Sequence, residues 1–239
     1  MKQSLFTLLL LAMISIISGC RQCITGTGDV QSEDRLLKAF TAIELKCSAD
    51  VIIRHKSMDE KNNVMIEAQP NLMPVITTKV SGNKLEIDME GCVKTNRPVI
   101  VYVDIDKIDK ISNDGSGNIT CGEELISDEF EISQNGSGNI SAIVRTNHLE
   151  LHLNGSGSVE LSGNGHKIEI ESNGSGTCDA LLFIAKEGEV NLNGSGAVSV
   201  FAAKEMNLEL NGSGSIHYGG KPEKLNTKKN GSGEIHEAQ

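Results

Sequence analysis

The sequence predicts an all-β fold, a parallel β-helix whose coils of about 19 residues stack along one axis. Three observations predict it. Gly-Ser-Gly begins at Gly115, Gly136, Gly155, Gly174, Gly194, Gly212 and Gly231, with spacings of 21, 19, 19, 20, 18 and 19 residues, and fixed-period self-similarity marks a repeat architecture. Apolar and polar residues alternate on both sides of each Gly-Ser-Gly, which is the period of a strand with one buried face. Aromatics are only 3% and there is no Trp, while Gly reaches 25, so a core must be shared among many small aliphatic side chains, as stacked thin layers share it.

The N-terminus reads as an address. Lys2 precedes an apolar run from Leu5 to Ile17, thirteen residues that are too few to span a bilayer and right for the core of a signal peptide. The run ends in Ile17-Ser18-Gly19-Cys20, which resembles the bacterial lipobox, so residues 1–19 are expected to be cleaved and Cys20 to be acylated. A thiol-linked diacylglycerol with an amide-linked acyl chain supplies the more than one buried chain that lasting anchorage needs. The expected partner is therefore a membrane face outside the cytoplasm. Cleavage removes Lys2 alone among the charges, so a formal charge of -10 becomes -11, from 21 basic and 32 acidic residues. Such a chain is a poor partner for nucleic acid or anionic head groups. Residues 20–35, with Thr25-Gly26-Thr27-Gly28-Asp29 and little apolar periodicity, read as a tether.

From residue 36 the chain reads as one solenoid domain to residue 239. In 36–112 strand patterns appear at Ile43, Leu45 and Cys47, at Val51 and Ile53, at Val64 and Ile66, at Leu85, Ile87 and Met89, and from Val99 to Ile105. Pro70-Asn71 and Ser81-Gly82-Asn83 mark turns, yet no period is visible, which predicts irregular opening coils continuous with the regular ones of 113–239.

Aligning the repeats on their first Gly sorts side chains into columns. Four places after it stand Ile119, Ile140, Val159, Cys178, Val198, Ile216 and Ile235, all apolar. Six places after it stand Cys121, Ala142, Leu161, Ala180, Val200, Tyr218 and Glu237, apolar until the last copy, and between the two columns lies a wholly polar one. Four places before it stand Ile132, Leu151, Ile170, Val190 and Leu208. Tandem Asn-Gly hairpins are the rival arrangement, but a nearly constant period with like residues in each column favours coil on coil. The glycines are expected to supply positive φ, and Asn to tolerate left-handed backbone. With coils about 4.8 Å apart, Asn135, Asn154, Asn173, Asn193, Asn211 and Asn230 should form a side-chain amide ladder, and the Ser column could do likewise. Thr227 and Lys229, with Lys221, Lys224 and Lys228, read as a charged stop at the C-terminal end.

Convergent chemistry is sparse. No turn carries the Gly-Lys-Ser/Thr of a phosphate loop, and among the residues preceding Gly-Ser-Gly only Asp114 could serve a calcium solenoid. His217 and His236 share an outward column, as do Glu160 and Asp179, but both pairs read as solvated surface, so neither a metal nor a cofactor is expected. Cys121 and Cys178 lie three coils apart, about 14 Å by strand spacing, too far to bridge. Cys47 with Cys92 is the candidate disulfide, since an exported location permits one.

The opening Phe40-x-x-Ile43-x-Leu45, then Ala49-Asp50-Val51-x-Ile53, Asn71-Leu72, Lys84-Leu85-x-Ile87 and the Gly-Ser-Gly tail together resemble the GIN-domain family of putative auto-transporter adhesin heads, common in Bacteroidetes. The resemblance covers about residues 36–236. It implies a right-handed parallel β-helix and an adhesin-like role in the cell envelope, here as an outer-membrane lipoprotein. The expectation is a non-catalytic display or binding head for a glycan or an envelope protein. The alternatives are a carbohydrate-active β-helix enzyme or an envelope scaffold. An enzyme would need carboxylates converging beside aromatic sugar platforms, and the repeats hold only Phe130, Phe183, Phe201 and Tyr218 among aromatics.

Overall fold

A computed structural model describes residues 23–55 and 63–238, so the leader and Cys20 lie outside the described residues. In chain order the strands are β1 (Ile24–Thr25), β2 (Gln31–Leu36), β3 (Ala42–Leu45), β4 (Asp50–His55), β5 (Asn63–Ala68), β6 (Ile76–Ser81), β7 (Lys84–Met89), β8 (Val93–Lys94) and β9 (Ile100–Ile105). The repeats follow as β10 (Lys110–Asn113), β11 (Ile119–Ile126), β12 (Glu129–Gln134), β13 (Asn139–Leu153), β14 (Ser158–Ser172), β15 (Thr177–Gly194), β16 (Ala197–Gly212), β17 (Ser215–Gly219), β18 (Lys224–Asn230) and β19 (Glu234–Glu237).

Pairing in the repeats is parallel, coil on coil, and not hairpin. One face stacks β7, β3, β10, β12, the second halves of β13, β14, β15 and β16, and then β18. The other stacks β9, β4, β11, the first halves of the same long strands, then β17 and β19. Each face is nine strands deep by that count, and eight steps of about 4.8 Å make a stack of roughly 38 Å. The register aligns the apolar columns: Val101, Val51, Ile119, Ile140, Val159, Cys178, Val198, Ile216 and Ile235 run in one file. Leu85, Ile43, Ile111, Ile132, Leu151, Ile170, Val190 and Leu208 run in another. All but Ile235 are buried. Each contributes on the order of 1.5–3 kcal/mol, opposed by the entropy of ordering its coil.

The opening segment stacks out of chain order. β3 and β4 form the first coil, but the chain then leaves it, builds β5 to β9, and returns with β10 and β11 on the opposite side of that coil. The detour closes the end of the stack with antiparallel strands, β6 on β7, β5 on β9 and β2 on β5. This mixture of directions is why no period was legible there.

Two expectations are corrected. The described part of the supposed tether, residues 23–35, is folded: β2 pairs along its whole length with β5, and Arg35 crosses the cap to donate to the carbonyls of Ile76 and Met73 at 2.7 and 3.2 Å. The disulfide joins Cys92 to Cys23, while Cys47 is a buried free thiol. β1 lies parallel to β8, which brings Cys23 to Cys92, whereas Cys47 follows β3 and faces the core.

At the far end β18 is exposed throughout and, among the described residues, pairs only with β16, and Thr227 and Lys229 stand where Leu208 and Leu210 stand one coil earlier. Lys224 and Lys228 pair with Glu205 and Glu209 at 2.6 and 2.7 Å.

Candidate functional site

The glycine turns stack into one corner, and their composition follows from how closely successive backbones approach there. A Cβ on Gly136 would lie 1.8 Å from the carbonyl oxygen of Gly115, and one on Gly138 would lie 1.8 Å from that of Gly117. The same collision recurs up the corner. Positive φ is needed in the later turns, as at Gly212 (φ 141°), but not at Gly136, and no described residue other than glycine has positive φ. The tolerance of Asn for left-handed backbone is not used in any described turn; its side chain is what the position requires.

Along that corner the amides form an unbroken file. Asn154 donates to Asn135 at 3.0 Å, Asn173 to Asn154 and Asn193 to Asn173 at 3.1 Å, Asn211 to Asn193 at 2.9 Å and Asn230 to Asn211 at 2.8 Å. The file starts at Asp114, whose carboxylate accepts from Asn135 at 2.7 Å. The Ser column does not match it: among the described residues only Ser213 to Ser195 comes within range, at 3.4 Å, because a hydroxyl one bond from Cβ spans the coil spacing poorly.

The sequence reading missed two further devices. Beside the turn, Asn139 donates to Asn118 and Asn118 to Asp50, both at 2.8 Å, a second ladder that also ends on an Asp. Under the turn, the position two places before the first Gly is Asn113, Gln134 and Ser172 in three coils, Leu in three others and Lys229 in the last. Asn113 and Gln134 are wholly buried and each donates to the carbonyl four residues on, Gly117 and Gly138, at 2.9 Å.

Outward, the two faces differ. On the face of β12 and the second halves, Glu131, Glu150, Glu169 and Glu189 stand in register, flanked by His152 and Glu171 on one side and Lys167 on the other. Lys110 meets Glu131 at 2.6 Å, His152 meets Glu150 at 3.0 Å, and Lys167 pairs with Glu169 and Glu189. The Lys167 ammonium is the main cause that holds the Glu169 carboxyl below its ordinary value. A depression of about 600 Å³ opens on this face among Asp109, Lys110, Asp128, Glu129, Glu131 and His148. The opposite face mixes hydroxyls with carboxylates, with Ser141, Glu160, Asp179 and Ser199 in file, then His217 and His236. The two imidazoles meet edge to face, their centroids 4.1 Å apart. Among the described residues no three His, Cys, Asp or Glu converge as a metal site. Cys121 and Cys178 face the core, where burial pushes each thiol up to about 12.

Residues 39–222 match the family described as "Putative auto-transporter adhesin, head GIN domain". The chain belongs to this GIN-domain family. Its fold is also that of solved structures. A putative adhesin from Bacteroides fragilis is 22% identical, the match covering 90% of this chain and 100% of that one at a TM-score of 0.82. A putative lipid binding protein from Parabacteroides distasonis is 22% identical over 91% of this chain and 100% of its own, with a TM-score of 0.75. A putative adhesin from Parabacteroides merdae is 19% identical over 90% and 99%, with a TM-score of 0.67. Identities this low speak for the fold alone. No significant match is found among curated proteins. In this GIN-domain head the surface chemistry runs in rows along the stack, with a charged face and a hydroxyl-bearing face meeting at the amide corner.

Proposed function

We propose that the protein is a lipid-anchored, non-catalytic display head of the cell envelope, held in the membrane by acyl chains on Cys20, that binds a glycan or another envelope protein. One observation carries the reading: polar side chains recur in register along each face, as in the row Glu131, Glu150, Glu169 and Glu189, instead of converging on one point. Repeated groups at strand spacing suit an extended ligand that also repeats, whereas bond cleavage needs an acid and a base aimed at one atom. The aromatics also tell against a sugar-cleaving groove, since Phe130 and Phe183 are buried in the core. Membership of an adhesin-head family supports the binding role. The test is crosslinking in cells followed by co-purification, with a glycan panel assayed for both binding and turnover. Retention of a glycan or envelope protein that is lost in Glu150→Lys/Glu169→Lys supports the reading; cleavage of any panel member refutes it.

A further inference from the structure

We propose that the capped end of the stack, beside the Cys23–Cys92 disulfide, is the end that faces the bilayer, so that the head stands end-on with its C-terminal coil farthest from the membrane. The inference rests on the anchoring of Cys20 proposed above. Cys20 is three residues from Cys23, and Cys23 is bonded to Cys92 in the loop between β7 and β9, at the capped end of the glycine corner. The residues after it are held as well. Ile24 donates to the Cys92 carbonyl and Gly26 to that of Lys94, both at 2.8 Å, while Asn71 accepts from Thr27 and donates to the Thr25 carbonyl, again at 2.8 Å. From Cys20 to Cys23 the chain has three residue steps, which reach at most about 10 Å however they are arranged. Without the clamp it would run eleven residues to Gln31, roughly 36–40 Å, as long as the stack of about 38 Å is tall.

Those lengths decide between a swinging head and a seated one. A span of about 10 Å cannot carry the far end of a 38 Å stack to the membrane while the clamped end moves away. Lying down is disfavoured too. The most exposed apolar side chains of the repeats, Leu182 (74%), Ile126 (60%) and Ile184 (47%), sit at the joint of the coils away from the glycine corner, where Ile126 and Ile184 share one register file, so a head on its side could not bury them and keep Cys23 within reach. Lys94 and Arg97, near the clamp in sequence, are matched in number by Asp29 and Glu90, so lipid attachment and chain length are what would do the positioning.

The chain has no Trp, so single tryptophans report position cleanly. Full-length lipidated protein is reconstituted into phosphatidylcholine vesicles doped with a dansyl lipid, as Asn96→Trp beside the clamp, Leu182→Trp in mid-stack and Leu225→Trp in the last coil. Energy transfer to the lipid is expected to be strongest in Asn96→Trp and to fall through Leu182→Trp to Leu225→Trp. With twelve Gly and Ser residues inserted between Cys20 and Arg21, which lengthens the span to roughly 50 Å and leaves the clamp intact, that gradient should flatten by more than half. Equal transfer from all three positions, strongest transfer from Leu225→Trp, or an unaltered gradient in the lengthened variant overturns the proposal. Protein that does not float with the vesicles overturns the anchoring reading itself, and this inference with it, before any distance is read.

Discussion

Asn135 donates its side-chain amide to the Asp114 carboxylate at 2.7 Å, and the one departure from Asn in its column is thereby the first step of the ladder. The lowest member needs only to accept, and a carboxylate accepts more strongly than an amide. Asp50 holds the same place beneath Asn118 and Asn139. In mid-ladder, Asn173→Ala removes a bond donated to Asn154 and one accepted from Asn193, so it is expected to cost about 1–2 kcal/mol. Asp114→Asn keeps an acceptor and should lie within about 0.5 kcal/mol of the parent. Urea midpoints of the two variants test the ordering; equal losses would refute it.

The glycine corner predicts a sharper contrast. Gly136→Ala places a methyl 1.8 Å from a backbone oxygen that cannot move without parting two coils, and a loss above about 4 kcal/mol or failure to fold is expected. Gly122, outside the turns, meets nothing within 4 Å and has no positive φ, so Gly122→Ala should be neutral or stabilise by about 0.4–1 kcal/mol. Thermal melts of the two alanine variants decide the matter.

The repeats were legible because period-two alternation, aligned on a fixed turn, already names the residues that face inward, from Ile119 to Ile235. The corner's chemistry was half legible: the Asn file follows from spacing, but the true reason for glycine is the carbonyl of the coil beneath, which no single repeat displays. Asn118 and Asn139 were hidden because their column continues as Ser158, Thr177 and Ala197, so it shows no identity to read. The cap was not legible, since β3 pairs with β7 and β10 at sequence distances that local patterns do not encode. The same long-range order misled the cysteine reading, because Cys23 finds Cys92 through β1 on β8, two strands of two residues each.

The cysteines among the described residues divide into one bridge and three inert thiols. Burial pushes Cys47 up to about 11 and Cys121 and Cys178 up to about 12, so none carries thiolate near neutrality. A thiol reagent should label none of the three in the folded protein and all three in urea, read by mass spectrometry. The bridge closes 69 residues of sequence separation, for which chain entropy predicts about 4 kcal/mol. Cys23→Ser/Cys92→Ser should therefore lower the urea midpoint clearly, whereas Cys47→Ser should leave the bridge intact on peptide mapping.

The capped end also predicts an acid response. Glu44 is 13% exposed and is approached by Lys46 at 2.8 Å and Lys84 at 2.9 Å. Burial alone would raise its carboxyl, but the two ammonium groups outweigh burial and hold it below the ordinary 4.5. A folded pKa below the unfolded one means that the stabilisation is complete above the unfolded value and is lost as pH falls through the folded one. Glu44→Gln should therefore weaken the fold near neutrality, and the gap between parent and variant should close as the solution is taken through the carboxylate range into acid. Urea midpoints measured across that range follow the gap directly: a gap that stays constant would mean that Glu44 acts through its shape and not through its charge.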